Sequence, residues 1–145
     1  MARTTFSGPI SAGTVREGAS SNLGNVVLSQ SFDSGDLTGT EVGNLDAVAC
    51  IVPAGCQIVD IAVDQVVAAT GGTTTVSVGT ASGGAQLMAG IATTAGGRFR
   101  GTATAATQLA WQIGTDDQTV YVRTAVASAT LTAGRFILTV NYVQK

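Results

Sequence analysis

Residues Gln57–Val67, QIVDIAVDQVV, indicate the fold class because apolar and acidic residues alternate along them. Successive side chains of a β-strand point to opposite faces, so this pattern predicts a strand with one face toward a core. Asp60 and Asp64 are expected on the opposite face. The apolar residues predicted to point together toward the core are Val59, Ile61, Val63 and Val67.

The stretch 134–143, GRFILTVNYV, repeats the pattern near the end of the chain. One predicted face is wholly apolar and the other is mixed, as in a sheet with a core face and a contact face. The core face would hold Phe136, Leu138, Val140 and Tyr142. The mixed face would hold Ile137, Thr139, Asn141 and Val143.

The rest of the chain has the same texture, with β-branched runs interrupted by many of its 19 glycines and no amphipathic helix. Short strands separated by Gly-rich turns predict an all-β, single-domain β-sandwich or jelly roll of about eight short strands. Residues Ile91–Thr107 are interpreted as a long surface loop or irregular edge. The predicted strands are Gly24–Ser31, Leu45–Val52, Gln57–Val67, Thr73–Thr80, Ala85–Ile91, Gln108–Ile113, Gln118–Val126 and Arg135–Val143.

The composition restricts the classes of function that this chain could have. Of the 145 residues, 45% are hydrophobic and only 11% are charged, with a net charge of −2. So little charge favours a chain that packs against copies of itself or a partner, and the negative balance argues against binding nucleic acid. Met1–Thr5 lacks a signal-peptide pattern and no stretch has the length of a membrane helix, so we expect a soluble protein made in a cytoplasm.

The beginning of the chain differs from the rest. Between Phe6 and Leu23 there is almost nothing large to bury, Ile10 and Val15 being the exceptions, and only Arg16 and Glu17 carry charge. We therefore expect residues 1–22 to form an extended N-terminal arm and residues 23–145 to form the sandwich. Such an arm can order against a neighbouring protein.

Few residues could carry chemistry. There is no histidine, and Lys145 is the only lysine, so a Ser-His-Asp site and a phosphate-binding lysine are not predicted. Asp60 and Asp64 could form an acid/base pair, but two solvated side chains on one strand are the simpler interpretation. A calcium site is an alternative for the acidic loop, although its spacing fits no defined calcium loop. That loop contains Asp33, Asp36 and Glu41.

We accordingly predict no catalytic residue, no cofactor and no metal. Cys50 and Cys56 flank a Pro-Ala-Gly turn and could form a disulfide, but two buried, reduced thiols are favoured in a cytoplasmic product. Arg98 and Arg100 could contact nucleic acid, or could pair with acidic residues of a neighbouring subunit. Trp111 is interpreted as a core residue, with a sugar-stacking platform as the alternative.

Several segments spread along the chain match the pattern of one family. They begin with FSGPISAG at Phe6–Gly13 and LGNVVLSQ at Leu23–Gln30, and continue with VPAGCQIVDI at Val52–Ile61. The remaining matching segments are Thr75–Thr80, Thr119–Val122 and Leu131–Gly134, followed by Tyr142. Through these segments nearly the whole chain resembles the small structural proteins of tailed bacteriophages, of the capsid decoration or cement type.

The resemblance implies a virion protein on the outer capsid surface, non-enzymatic, that binds the major capsid protein and itself as a homotrimer. It implies no contact with nucleic acid or membrane. It also implies that the predicted arm binds between capsid subunits and holds the protein on the capsid. The candidate capsid-contact residues of this arm are Arg3, Phe6, Pro9 and Ile10. The alternative is a fibre, spike or tail component that binds a receptor or glycan. A polysaccharide hydrolase using Asp60 and Asp64 is the third hypothesis.

Overall fold

A computed structural model describes residues 26–101 and 111–144 of the chain. The described residues form eight strands and no helix, so no helix among them could cross a membrane. The prediction of an all-β sandwich is confirmed. The strands are β1 (Val27–Asp33), β2 (Gly43–Val52), β3 (Cys56–Thr70), β4 (Thr73–Gly79), β5 (Met88–Ala92), β6 (Gly97–Arg100), β7 (Gln118–Ala127) and β8 (Ala133–Gln144).

The strands form two antiparallel four-stranded sheets that face each other. One sheet has the order β1-β8-β3-β6 and the other has the order β2-β7-β4-β5. Strand β1 contacts β2 across the sandwich and β3 contacts β4, so the two sheets are stacked in matching order. Strands β1 and β2 therefore form one lateral side of the sandwich, and β6 and β5 form the other.

The core lies between the sheets and is built by the alternating faces that the sequence predicted. Phe136, Leu138 and Val140 of β8 are almost completely buried, and they oppose Val120 and Val122 of β7 across the core. The four predicted core residues of β8 are all buried, Tyr142 included. Burial of side chains of this size is the main favourable term in folding.

The predicted face assignment within β3 is correct at its centre and wrong at two positions. Ile61 and Val63 are fully buried, but Val59 and Val67 are each 44% exposed. The register against β8 shifts between Ile58 and Asp60 and again between Gln65 and Val67. Each irregularity changes which face the following residues occupy, so simple alternation fails there.

The region between β5 and β7 also differs from expectation. The predicted strand Gln108–Ile113 is wrong within the described residues, because Gln112 makes only an isolated bridge to Gln57. Residues 108–110 lie outside the described residues. The segment 91–107, interpreted as a long surface loop or irregular edge, contains a short edge strand, β6, which pairs with the middle of β3. β6 is only four residues long and includes a glycine, which explains why a periodicity argument missed it.

Candidate functional site

One lateral side of the sandwich is exposed and apolar. We call it the β1–β2 flank and define it as β1 and β2 with the residues just before them, Val26 and Val42. Seven of the ten large apolar residues with exposed side chains lie on this flank. They are Val26, Val27, Leu28, Val42, Leu45, Val48 and Ile51.

Two of these residues are placed as core residues but remain uncovered. Leu28 pairs with buried Tyr142, and Leu45 pairs with buried Thr124, so both are directed toward the space between the sheets. They are nevertheless 44% and 48% exposed. Being on edge strands, they lack a neighbouring strand on one side, and none of the described residues covers them.

The outward face of β2 extends the same surface. Val48 pairs with Tyr121 and Ile51 pairs with Thr119, which places both on the outer face of their sheet. The only charge on β2 is Asp46, and Arg123 of β7 holds it through contacts of 2.7 and 2.9 Å. Strand β2 therefore presents ten residues with no unmatched charge along them.

Gln30 fixes the two edge strands relative to each other. Its side-chain amide donates to the backbone carbonyl of Ile51 at 2.8 Å and to the hydroxyl oxygen of Tyr142 at 2.9 Å. A single side chain of β1 thus bridges to β2 in the opposite sheet. This contact holds the flank at a defined width, so its apolar residues keep a fixed arrangement.

The opposite flank is protected. Strand β6 has four residues, of which two are arginines, and β5 has five residues, of which two are alanines and one is a glycine. Arg98 contacts Asp64 at 2.5 Å, and Arg100 contacts Asp60 at 2.9 Å. Short edge strands that carry charge are a known protection against pairing with another chain.

These ion pairs change the interpretation of four residues. Asp60 and Asp64 each accept hydrogen bonds from an arginine, so they do not form a free acid/base pair. Arg98 and Arg100 find their partners within the chain, and the predicted pairing with a neighbouring subunit is not needed. The hydrogen bond from Arg98 lowers the pKa of Asp64 below its ordinary value.

Two further Asp–Arg pairs tie each edge strand of the flank to its inner neighbour. Arg135 on β8 holds Asp33 of β1, and Arg123 on β7 holds Asp46 of β2. The hydrogen bond from the arginine is the main cause that lowers the pKa of each aspartate to about 2. A second hydrogen bond lowers it further, from the backbone N–H of Gly35 to Asp33 and from the hydroxyl of Ser82 to Asp46. All four arginines of the described residues are thus matched by an aspartate.

The acidic loop after β1 does not assemble a metal site. Asp33 pairs with Arg135, whereas Asp36 accepts hydrogen bonds from the amide and hydroxyl of Thr38. No group of three or more His, Cys, Asp or Glu side chains within residues 26–101 and 111–144 is arranged to hold a metal ion. The two aspartates therefore serve the turn and the sheet, as turn residues commonly do.

The cysteines and the tryptophan belong to the core. Cys50 and Cys56 are buried, free thiols, and burial raises the pKa of Cys50 to about 11. A thiol with so high a pKa is a poor nucleophile. Trp111 is buried, and its indole N–H donates to the carbonyl of Leu87 at 3.1 Å. It presents no open face for stacking a sugar.

The predicted capsid-contact residues and the exposed flank belong to different parts of the sequence. Arg3, Phe6, Pro9 and Ile10 lie outside the described residues. The β1–β2 flank was not predicted, because apolar residues in a strand are ordinarily assigned to the core. A signal was nevertheless present: LDAVACIV, residues 45–52, is apolar at positions of both faces, which exceeds what a one-sided edge strand can bury.

Comparisons with known proteins bear on the fold. No protein-family model and no curated protein matches the chain. A solved structure titled the capsid of Ralstonia phage GP4 contains a chain that is 22% identical, with a TM-score of 0.61, over 94% of this chain and 92% of that one.

Two further capsid structures contain similar chains. One is from the cyanophage Pam1, with 18% identity and a TM-score of 0.58 over 93% and 96% of the two chains. The other is the acidic stable capsid of the Helicobacter pylori bacteriophage KHP30, with 16% identity and a TM-score of 0.57 over 81% and 87%. At these identities the likeness shows that the fold is shared.

Proposed function

We propose that this chain is a capsid decoration, or cement, protein of a tailed bacteriophage. It binds the outside of the major capsid protein lattice as a homotrimer, stabilises the head and catalyses no reaction. It is made in the cytoplasm of the bacterial host and resides in the virion. The proposal extends the sequence resemblance with the fold likeness and with the chemistry of the exposed surfaces.

The observation that carries the proposal is the completeness of the fold likeness. The similar chain in the Ralstonia phage GP4 capsid is covered over 92% of its length by 94% of this chain. The two chains are therefore nearly equal in length, and the similar chain is not one domain of a much larger subunit. A small β-sandwich that occurs as a chain of its own in a capsid is what a decoration protein requires.

The strand pairing supports a jelly roll as the specific form of the sandwich. Strand β1 pairs with β8, β2 with β7, β3 with β6 and β4 with β5. These are the pairs of one long eight-stranded hairpin that has been rolled up, and additional pairs join β3 to β8 and β4 to β7. Jelly rolls of eight strands are frequent in viral capsid domains.

The described side chains favour binding over catalysis. The four aspartates on the sheet faces are occupied by arginines, the two thiols are buried, and the whole chain has no histidine. These groups are therefore not free to act as the base or the nucleophile of general acid–base or covalent catalysis. Exposed apolar surface is instead typical of interaction sites.

We further propose that residues 1–22 form the contact with the capsid protein, with Arg3, Phe6, Pro9 and Ile10 as anchors. Full burial of Phe6 and Ile10 would contribute about 1.5–3 kcal/mol each. A trimer presents three arms, and multivalent binding turns such modest terms into firm attachment.

The test uses capsids that lack this protein. Full-length chain and the double variant Phe6→Asp/Ile10→Asp are added to the heads, and bound protein is quantified by mass spectrometry after sedimentation. We expect wild type to bind at a copy number comparable to that of the major capsid protein and the variant to lose most binding. The control is Val66→Asp, a similar change at an exposed residue of β3. A low copy number for wild type would favour a vertex or tail position and contradict decoration of the whole head.

A further inference from the structure

The β1–β2 flank is too apolar and too regular to be an ordinary solvent-exposed edge. We propose that it is the surface by which one copy of this chain binds a second copy. The inference rests on the proposed homotrimer and specifies which surface forms it. The occupants are the flanks of the neighbouring subunits, which meet around the threefold axis of the trimer, so that the β1 side of one flank packs its exposed leucine and valine side chains against the β2 side of the next.

Charge supports a second copy as the occupant. The only charged residues on the two strands of the flank are Asp33 and Asp46, and each is neutralised by an arginine of the same chain. Two copies can therefore approach through this surface without repulsion between like charges. The acidic residues that lack an arginine among the described residues lie in the loops at the two ends of the sandwich. They are Asp36, Glu41, Asp116 and Asp117.

The two flanks differ in the way that a closed assembly requires. The β5–β6 side has short edge strands with paired arginines, which disfavours association there. Only one side of each subunit therefore favours association. Subunits that meet through this one side around a common axis form a small closed oligomer. If both sides favoured association, subunits could add to one another without limit and form a filament.

The start of the described chain lies on the same surface. Residues 1–25 join the body at Val26, directly before β1, and β1 is one of the two edge strands of the flank. When copies associate through their flanks, their N-terminal segments leave the assembly from neighbouring positions. This geometry brings the arms together, where the proposed capsid contact needs several of them.

The experiment measures self-association of the full-length protein by sedimentation velocity over a range of concentrations, with no capsid present. Leu45→Lys and Val48→Lys each place a charge on the flank. Val66→Lys is the matched control, since Val66 is 54% exposed against 52% for Val48, and β8 separates its strand from the flank. Thermal unfolding of each variant verifies that it folds.

We expect wild type and Val66→Lys to sediment as the same oligomer. Both flank variants should dissociate at least tenfold more readily. Because Val48 points outward, Val48→Lys keeps the test decisive if Leu45→Lys unfolds. A wild type that stays monomeric at all concentrations would overturn the proposal and favour coverage of the flank by residues 1–25 or by capsid protein. An oligomer unaffected by Val48→Lys would overturn it as well.

Failure of this inference and failure of the proposed function are distinguishable. Self-association is measured without capsids, whereas decoration is measured as copies bound per head. A chain that binds heads at full copy number but never self-associates would leave decoration standing and remove the flank as a self-contact. A chain that self-associates through the flank but binds no heads would contradict decoration and leave the flank standing as a self-contact.

Discussion

The two lateral sides of the sandwich are made by the same folding pattern and have opposite surfaces. At the β5–β6 side, the edges are four and five residues long, and two arginines of β6 are paired with aspartates of β3. At the β1–β2 side, the edges are seven and ten residues long, and Leu28 and Leu45 remain half exposed. The difference teaches that edge length and charge, more than overall hydropathy, reveal which side of a sandwich is free to bind.

The largest expected effect comes from the two phenylalanines near the β1–β2 flank. Phe136 is fully buried and its ring lies 6.4 Å from that of half-buried Phe32 on β1. We expect Phe136→Ala to lower the free energy of unfolding by about 3–5 kcal/mol, and Phe32→Ala by roughly half of that. Urea unfolding of the dissociated chain measures both. Equal losses would mean that the flank is covered within a single chain.

The next largest effect is the loss of stability when a glycine in a turn is replaced by alanine, compared between two connections. A Cβ at Gly71, between β3 and β4, would lie 2.6 Å from the backbone oxygen of Thr130, and the residue has a positive φ of 94°. Gly39, in the β1–β2 connection, has a similar φ of 84°, and no described atom lies within 4 Å of its Cβ position.

We therefore expect Gly39→Ala to cost about 1–2 kcal/mol from backbone strain alone. Gly71→Ala should cost about 1–3 kcal/mol more, because it adds a clash with backbone. Thermal unfolding of both variants gives the difference. If the two costs were the same, the β1–β2 connection would be packed as tightly as the β3–β4 turn, contrary to the open space around Gly39.

A smaller effect tests the interior near the β5–β6 side. The Thr74 hydroxyl is fully buried and finds no hydrogen-bond partner among the described residues. Thr74→Val should raise the free energy of unfolding by about 1 kcal/mol, since it removes a polar group that burial leaves unpaired. Thr93→Val is the control, because the Thr93 hydroxyl donates to the carbonyl of Thr74 at 3.3 Å. The control should lower stability slightly, and a loss in Thr74→Val would show that its hydroxyl is bonded.

The smallest effect is a pH dependence from the exposed ion pairs. The folded pKa values of Asp33 and Asp46 are about 2, below the ordinary value of about 3.9 in an unfolded chain. The stabilisation is therefore complete above about pH 4 and is lost as the pH falls toward 2. Thermal midpoints measured between pH 5 and 2.5 should fall for wild type and fall less for Arg123→Met. Arg98→Met tests Asp64 on the other flank in the same way. If the thermal midpoint of both variants fell with pH as steeply as that of wild type, these ion-pair assignments would be contradicted.

The sequence predicted the strands whose alternation is uninterrupted. The core face of β8 and the centre of β3 were assigned correctly, because a period of two is set by backbone geometry alone. Prediction failed at Val59 and Val67, where irregular pairing with β8 reverses the faces, and at β6, which is too short to show a period. Neither local irregularity nor a four-residue strand leaves a pattern that can be recognised without its partner strand.

The sequence by itself determined that this protein is all-β, that β3 and β8 each have a core face, and that it has no histidine with which to build a catalytic base. Only the tertiary structure decided which strands are edges, and therefore that Leu28, Leu45 and Val48 are exposed while Arg98 and Arg100 are matched by Asp64 and Asp60. The physical reason is that exposure and charge pairing depend on neighbours in space, and those neighbours come from strands far apart in the chain.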